Sequence, residues 1–195
     1  MIRSLLRQAR RWMRHHEENY LYASSVEALL RHTTHLGDPL QVLVVDAHNI
    51  GFVLPRRPAF PPLFRTRVLR GDVAIMALLE EEWIFRSLAV LGPNSCPVTG
   101  YPLQLSATDA FLECAETHPA WRGKGVAPSM LFPTALELLA HGITRVFFTV
   151  DPTNAPSIRA MEKGGAERQG LIVADRWLGR WHTKYTVVAP SGVEA

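Results

Sequence analysis

One segment in the last third of the chain constrains the fold more than any other. Ala110 to Thr117 is predicted to form a strand, and Val126 to His141 a long helix that ends at Gly142. A second strand is predicted at Arg145 to Val150. A strand, a helix and a strand at this spacing form a right-handed crossover, so the two strands should be parallel neighbours. The segment therefore predicts an α/β fold.

The residues that follow extend this pattern. A short helix is predicted at Pro156 to Lys163, where Gly164 and Gly165 end it, and strands are predicted near Gln169 to Ala174 and at Trp181 to Ala189. The order strand, helix, strand, helix, strand, strand is typical of a sheet flanked by helices.

Residues 1–36 are predicted to form two helices that precede the first strand. The first is amphipathic and basic, because five arginines precede Glu17, the first acidic residue. We interpret it as packed on its own domain, with lipid, RNA or partner binding and an organellar transit peptide as alternatives. The second helix is predicted from Ser24 to His35, with Ser24 or Ser25 as its N-cap.

The middle of the chain is harder to interpret. Gln41 to Asp46 and Ile50 to Leu54 are predicted to form a hairpin with Asn49 in its turn. Asp72 to Leu91 contains good helix formers and favours one helix, although its Ile, Val and Phe content would also suit two strands. Gly92 to Pro102 is predicted to be a surface loop.

Two shorter features lie beside these segments. The prolines of residues 55–62 are expected to prevent regular structure. The three consecutive glutamates at 80–82 are interpreted as a solvated face of the predicted helix.

Composition limits the kind of protein. A length of 195 residues predicts a single domain, and 47% hydrophobic with 20% charged residues is typical of a globular chain. No apolar run approaches the roughly 18 residues of a membrane span. Cys96 and Cys114 lack zinc or disulfide spacing, so we expect reduced thiols and a cytoplasmic location. The net charge of +3 does not demand nucleic acid, which we regard as an unlikely partner.

The histidines do not predict a metal site. His32 and His35 lack a third ligand at suitable spacing, and the adjacent His15 and His16 cannot share a helix face. We therefore expect no metal.

The loop between the first predicted strand and the long helix has the composition of an anion site. Gly123 and Gly125 permit unusual dihedral angles, which leaves peptide N–H groups free at the N-terminus of the helix. Those groups and the helix dipole suit a phosphate, with Arg122 and Lys124 adding positive charge. The loop is neither a Walker loop nor a dinucleotide fingerprint, because Pro128 stands where the latter needs glycine.

The loop resembles the diphosphate-binding motif Q/R-x-x-G-x-G/A of the GNAT superfamily of acyl-CoA-dependent N-acyltransferases. Arg122, Gly125 and Ala127 occupy its three fixed positions, and Asn154 and Ser157 follow at the separation that the family uses. The resemblance implies a splayed mixed sheet flanked by helices in a single domain, with acyl-CoA between the two parallel strands. Within that domain, residues 110–174 would be the acyl-CoA-binding core and residues 55–108 a variable insertion.

The same resemblance implies site residues. Glu113 would be the general base and Ser157 is a second candidate catalytic residue. The residues expected to bind acyl-CoA lie on the strand, the loop and the second helix: Ala115, Glu116, Thr117, Arg122, Gly123, Lys124, Gly125, Val126, Ala127, Asn154 and Ser157. Because side chains alternate along a strand, Glu116 is expected on the face opposite to Glu113. His118 is an alternative base, but its place next to Pro119 favours a role in the turn.

The chain departs from the family pattern at the general acid. Met161 stands where many relatives place a tyrosine, and a thioether cannot donate a proton. Water, Ser157 or Tyr185 would then protonate the thiolate, or it would leave unassisted. Pro133 within the long helix is a smaller departure, because it removes one helical hydrogen bond.

The expected function is transfer of an acetyl or other short acyl group from acetyl-CoA to the primary amine of a small molecule or peptide. The expected mechanism is direct attack within a ternary complex. A CoA-binding sensor or scaffold with little activity and an RNA-directed acyltransferase are the alternatives. A homodimer is compatible with Trp177 and Trp181 as a contact, although packing within the domain is the simpler interpretation.

Overall fold

The computed structural model describes residues 14–32, 40–53, 60–80, 82–93, 95–98, 101–177 and 180–187. Residues 1–13 of the predicted basic helix lie outside these ranges, and Arg14, which was also predicted to belong to it, begins the first strand. The strands are β1 (Arg14–Ser25), β2 (Gln41–Val45), β3 (Val73–Leu79), β4 (Glu82–Leu91), β5 (Ser95–Val98), β6 (Tyr101–Gln104), β7 (Asp109–Thr117), β8 (Arg145–Val150), β9 (Glu167–Trp177) and β10 (Arg180–Val187). The helices are α1 (Val26–His32), α2 (Ile50–Val53), α3 (Pro62–Val68), α4 (Val126–Ala140) and α5 (Ala155–Lys163).

Eight strands form one mixed sheet in the order β10-β9-β1-β8-β7-β4-β3-β2, and β5 and β6 form a separate two-stranded sheet. Strands β7 and β8 pair in parallel, whereas the other pairs of the large sheet are antiparallel. This confirms the predicted mixed α/β architecture and the crossover through α4. None of the helices in the described part of the chain is both long and apolar enough to cross a membrane.

The sheet carries a hydrophobic core on each face. On the α4 face, residues of α1 and α4, such as Met130, pack against alternate residues of the central strands, such as Leu112 and Phe148. On the α3 face, Phe64 of α3 packs with Leu88 and with other strand residues whose side chains point away from α4. The central strands β3 and β4 are therefore buried on both sides, which explains why their sequences show no alternation of polar and apolar residues.

That double burial overturns the predicted helix at Asp72 to Leu91. The segment forms β3 and β4, joined at Glu80, whose φ of 55° lies in the left-handed region. Glu80 and Glu82 consequently belong to a hairpin connection and not to a helix face. The burial of the apolar residues of β3 and β4 on both faces of the sheet outweighs the helix propensity of the Ala, Leu, Met and Glu residues in this segment.

Other predictions in the first half were also wrong. Strand β1 precedes α1, so two helices do not come before the first strand, although Ser25 caps α1 by accepting a hydrogen bond from the Ala28 N–H at 3.0 Å. The expected second strand of the hairpin is helix α2, because Asp46 and Asn49 bond to nearby backbone groups and turn the chain. Pro62 begins helix α3, where its missing N–H is not needed.

The predicted surface loop after β4 also contains regular structure, because β5 and β6 pair there as a small antiparallel sheet. Residues 55–108 as a whole contribute α3, β3 and β4 to the body of the fold as well as this small sheet. Their description as a variable insertion remains a prediction.

Candidate functional site

The parallel strands β7 and β8 pair over only part of their length. Asp109 to Leu112 lie opposite Arg145 to Phe148. Beyond these residues, β7 continues to Thr117 and β8 to Val150, but the two strands no longer pair with each other. At the closed end of this split, the Asp109 carboxylate accepts hydrogen bonds from Nε and Nη2 of Arg145, both at 2.9 Å. The Arg145 guanidinium lowers the pKa of Asp109 from 3.8 to about 2.

The open end of the split leads into a cavity of about 280 Å³. Strands β4, β7 and β8 and helices α4 and α5 form its walls. The lining residues are Phe85, Ser87, Leu112, Glu113, Cys114, Ala115, Ala127, Met130, Leu131, Thr134, Phe148, Thr149, Val150, Asp151, Asn154, Ser157 and Met161. Five residues predicted from the sequence as site residues are thus brought together: Glu113, Ala115, Ala127, Asn154 and Ser157.

A β-bulge on β7 lies at this cavity. Arg86 of β4 pairs with Glu116 and Leu88 pairs with Glu113, so Ser87 faces two residues, Cys114 and Ala115. Cys114 takes a φ of 55°, which accommodates the extra residue. Burial raises the pKa of the Cys114 thiol, and the neighbouring Glu113 carboxylate raises it further.

The bulge overturns the expected orientation of the two glutamates. Directly opposed residues of an antiparallel pair point to the same side, and Arg86 and Leu88 share a face because they lie two residues apart. Glu113 and Glu116 therefore point to the same face, the one covered by α3. The extra residue reversed the alternation on which the prediction depended.

Glu113 and Glu116 nevertheless have different surroundings. Glu113 lines the cavity and accepts a hydrogen bond from Arg67 Nη2 of α3 at 3.3 Å. Glu116 does not line it and accepts hydrogen bonds from Nε and Nη2 of Arg86, the former at 3.0 Å. Of the two glutamates, Glu113 is the one that borders the cavity, and its carboxylate points to the α3 face.

The loop before α4 contains a run of peptide N–H groups without a hydrogen bond among the described residues. Trp121 and Arg122 donate their N–H groups to the 3-10 turn that precedes them, whereas the N–H groups of the five residues from Gly123 to Ala127 donate to no atom of the described residues. Gly123 and Gly125 have φ of 75° and 77° and are exposed. These free N–H groups stand at the positive end of the helix dipole, as an anion site requires.

The side chains of the loop have distinct positions. Arg122 donates from Nε to the Thr117 carbonyl at 3.2 Å, and the ammonium group of Lys124 lies 4.6 Å from the centre of the Trp121 ring. Both cations are exposed at the loop, and Ala127, which ends the run of free N–H groups, lines the cavity. Glu116, Thr117 and residues 122–126 do not line the cavity itself.

Helix α5 forms the opposite wall. Asn154 caps it through Oδ1, which accepts the Ser157 N–H at 3.2 Å, and both residues line the cavity. Met161 lies one turn further along the helix and also lines the cavity, so the thioether occupies a position from which no proton can be supplied.

Two alternative acid and base candidates are placed elsewhere. Tyr185 lies on β10 at the edge of the sheet and donates to the Gln169 carbonyl at 3.2 Å. His118 does not line the cavity: its Nδ1 accepts the Ala120 N–H at 3.4 Å, and its ring lies edge-on to Trp83. His118 therefore belongs to the turn, and Tyr185 is separated from the cavity by the strands β9 and β1.

Ser87 is among the lining residues that were not identified from the sequence. Ser87 is 2% exposed, and a single serine within an apolar run gives no sequence signal of a site. Among the described residues, no group of three His, Cys, Asp or Glu side chains could hold a metal ion.

The fold has counterparts among solved structures. A GCN5-related N-acetyltransferase-like protein from Streptococcus suis 89/1591 aligns with a TM-score of 0.58 at 14% identity, over 90% of this chain and 67% of that one. An acetyltransferase of the GNAT family from Colwellia psychrerythraea gives 0.56 at 12% identity, over 82% and 56%. A functionally unknown conserved protein from Staphylococcus epidermidis ATCC 12228 gives 0.55 at 12% identity, over 95% and 68%.

These similarities show that the chain has the GNAT fold, which confirms the resemblance inferred from the loop. The chain spans between 56% and 68% of the length of these three structures. No protein-family model matches it, and no curated protein sequence is significantly similar.

Proposed function

We propose that the protein is an acyl-CoA-dependent N-acyltransferase, with acetyl-CoA as its co-substrate and a primary amine of a small molecule or peptide as its acceptor. One observation carries the proposal: the free N–H groups from Gly123 to Ala127 lie beside a cavity between two splayed parallel strands. Phosphate oxygens are suitable acceptors for such groups at a helix N-terminus. The split between the strands provides room for the rest of an elongated ligand.

In this proposal, the loop holds the diphosphate of acyl-CoA and the pantetheine arm enters the cavity. Arg122 and Lys124 add positive charge beside the diphosphate, which favours binding of an anion. The backbone of Ala115, beyond the bulge, and the residues Asn154 and Ser157 would bound the arm on its two sides.

Glu113 is the proposed general base. Its carboxylate points to the α3 face, whereas α4 and α5 cover the other face of the sheet. An amine that approaches from the α3 face could therefore transfer a proton to Glu113, directly or through water, as its nitrogen attacks the thioester carbon. Arg67 positions the carboxylate by donating to it.

The first experiment is calorimetric titration with acetyl-CoA, followed by a thiol-release assay with a panel of amines. We expect binding in the micromolar range and release of CoA with at least one amine. Failure of acetyl-CoA to bind would refute the proposal.

Glu113→Gln tests the base, and Glu116→Gln is its matched control on the same strand and face. Glu113→Gln should lower kcat by about 10²- to 10⁴-fold while acetyl-CoA still binds. Glu116→Gln should change kcat by no more than about twofold, because Glu116 does not line the cavity. Equal losses in the two variants would contradict the assignment.

A CoA-binding sensor or scaffold is the second candidate, and the position of Met161 in the cavity favours it. Such a protein would bind acetyl-CoA without releasing CoA in the presence of any amine tested.

A further inference from the structure

Ser87 combines burial, an unpaired hydroxyl group and a position in the cavity wall. Its side chain is 2% exposed, and its Oγ has no hydrogen-bond partner in the described part of the chain. Ser24 and Thr134 are also buried, but their hydroxyls are paired: Ser24 donates to the Gly165 carbonyl at 3.2 Å, and Thr134 donates to the Met130 carbonyl at 2.7 Å. The hydroxyl of Thr183 on β10 is buried and unpaired as well, but Thr183 does not line the cavity. An unpaired buried hydroxyl destabilises the folded protein, so the arrangement favours a ligand that supplies the missing partner.

The register of the sheet places Ser87 near the reactive end of the proposed ligand. Ser87 faces the bulge residues Cys114 and Ala115, and its neighbour Leu88 pairs with Glu113. Ser87 belongs to the α4 face, where the cavity lies, whereas Glu113 points to the α3 face. The hydroxyl and the proposed base therefore stand on opposite sides of the sheet at the same level of the split.

We propose that the Ser87 hydroxyl donates a hydrogen bond to the carbonyl oxygen of the bound acyl thioester. This inference rests on the proposed function. Attack by the amine nitrogen forms the C–N bond and places negative charge on that oxygen, which strengthens the hydrogen bond. The carbonyl then re-forms as the C–S bond breaks and sulfur leaves with the electron pair, while the amine proton passes to Glu113. Ser87 takes part in this step only as a hydrogen-bond donor and forms no covalent bond in the proposed reaction.

The test compares two ligands that differ at the carbonyl. Acetyl-CoA carries the thioester oxygen, and S-ethyl-CoA, a thioether, lacks it. The ratio of their dissociation constants, measured by calorimetry, isolates the contribution of that oxygen without requiring the acceptor. Ser87→Ala should reduce the wild-type preference for acetyl-CoA by about three- to tenfold and leave S-ethyl-CoA binding unchanged.

Ser24→Ala is the matched control, because Ser24 is also a buried strand serine but its hydroxyl is paired within the protein. The preference for acetyl-CoA should persist in Ser24→Ala, whereas its melting temperature should fall. Ser87→Ala should melt at or above the wild-type temperature, since the mutation removes an unpaired buried group. Ser87→Cys has a similar shape but a weaker hydrogen-bond donor, so it should also lose the preference for acetyl-CoA over S-ethyl-CoA. It replaces Ser87→Ala in the test if that variant fails to fold.

The outcomes separate this inference from the proposed function. If both ligands bind and the Ser87 variants keep the wild-type preference, the role of Ser87 is refuted and the proposed function stands. If neither ligand binds to the wild-type protein, both proposals are refuted.

Discussion

Gly125 provides the sharpest test of the anion site, because the same helix supplies its control. Gly125 precedes α4 with a φ of 77°, and Gly142 follows α4 with a φ of 74°. A Cβ atom built on either glycine has no heavy atom within 4 Å, so the expected cost of alanine is conformational and not steric. Alanine in the left-handed region costs about 1 to 2 kcal/mol, and both variants should lose a similar free energy of unfolding.

Ligand binding should distinguish the two variants. Relief of the strain in Gly125→Ala would turn the peptide groups around residue 125, where N–H groups are free. A hydrogen bond to a charged group contributes about 1.5 to 3 kcal/mol, so loss of one bond to the diphosphate weakens acetyl-CoA binding about 10- to 150-fold. Gly142→Ala should bind as the wild-type protein does, because residue 142 lies at the other end of α4.

Two measurements suffice for this test: urea unfolding for the free energy of each variant and calorimetric titration with acetyl-CoA for its affinity. The reasoning would be refuted by equal affinities of the two variants, whatever their stabilities. Equal loss of affinity would indicate that general destabilisation, and not the loop, governs binding.

Three further predictions concern Asp109, Cys114 and Tyr185. The lowered pKa of Asp109 means that its pairing with Arg145 contributes its full stability above about pH 3.8 and loses it as the pH falls through about 2. Asp109→Asn should lower the free energy of unfolding by about 1 to 2 kcal/mol at pH 7 and should reduce the further loss of stability between pH 3.8 and 2, as urea unfolding would measure. An unchanged loss of stability over that pH range would contradict this prediction. The raised pKa of Cys114 should slow its alkylation by iodoacetamide at pH 7 relative to free cysteine, as peptide mass spectrometry would measure. Acetyl-CoA should slow the alkylation further, because Cys114 lines the cavity. A rate equal to that of free cysteine would contradict this prediction. Tyr185→Phe should leave the thiol-release rate within about twofold of wild type, since Tyr185 lies away from the cavity, and a larger loss would restore it as a candidate acid.

The elements around the cavity that are local in sequence were predicted well. Glycines that need left-handed dihedral angles, the start of α4 and the glycines that end α5 depend on residues a few positions apart. The strand β7, the crossover helix and the strand β8 follow from periodicity and from the handedness of crossovers. The sequence accordingly predicted the loop and both walls formed by β7 and α5.

The missed elements depend on distant neighbours. β3 and β4 resemble a helix in composition and became strands because the sheet buries them on both faces. The register of β4 against β7 places the extra residue at Cys114, and this register determines where Glu113 and Glu116 point. Ser87 joins the site for the same reason, as the residue that faces the bulge.

The amino-acid sequence by itself determined the α/β pattern and the glycine-containing loop before a long helix, because dihedral preferences and hydrophobic periodicity act over a few residues. Only the tertiary structure decided which strands are buried on both faces, how far β7 and β8 stay paired, which glutamate borders the cavity and which hydroxyl lines it. Those features arise from pairing between segments far apart in the chain, where a shift of one residue reverses the face that every following side chain occupies.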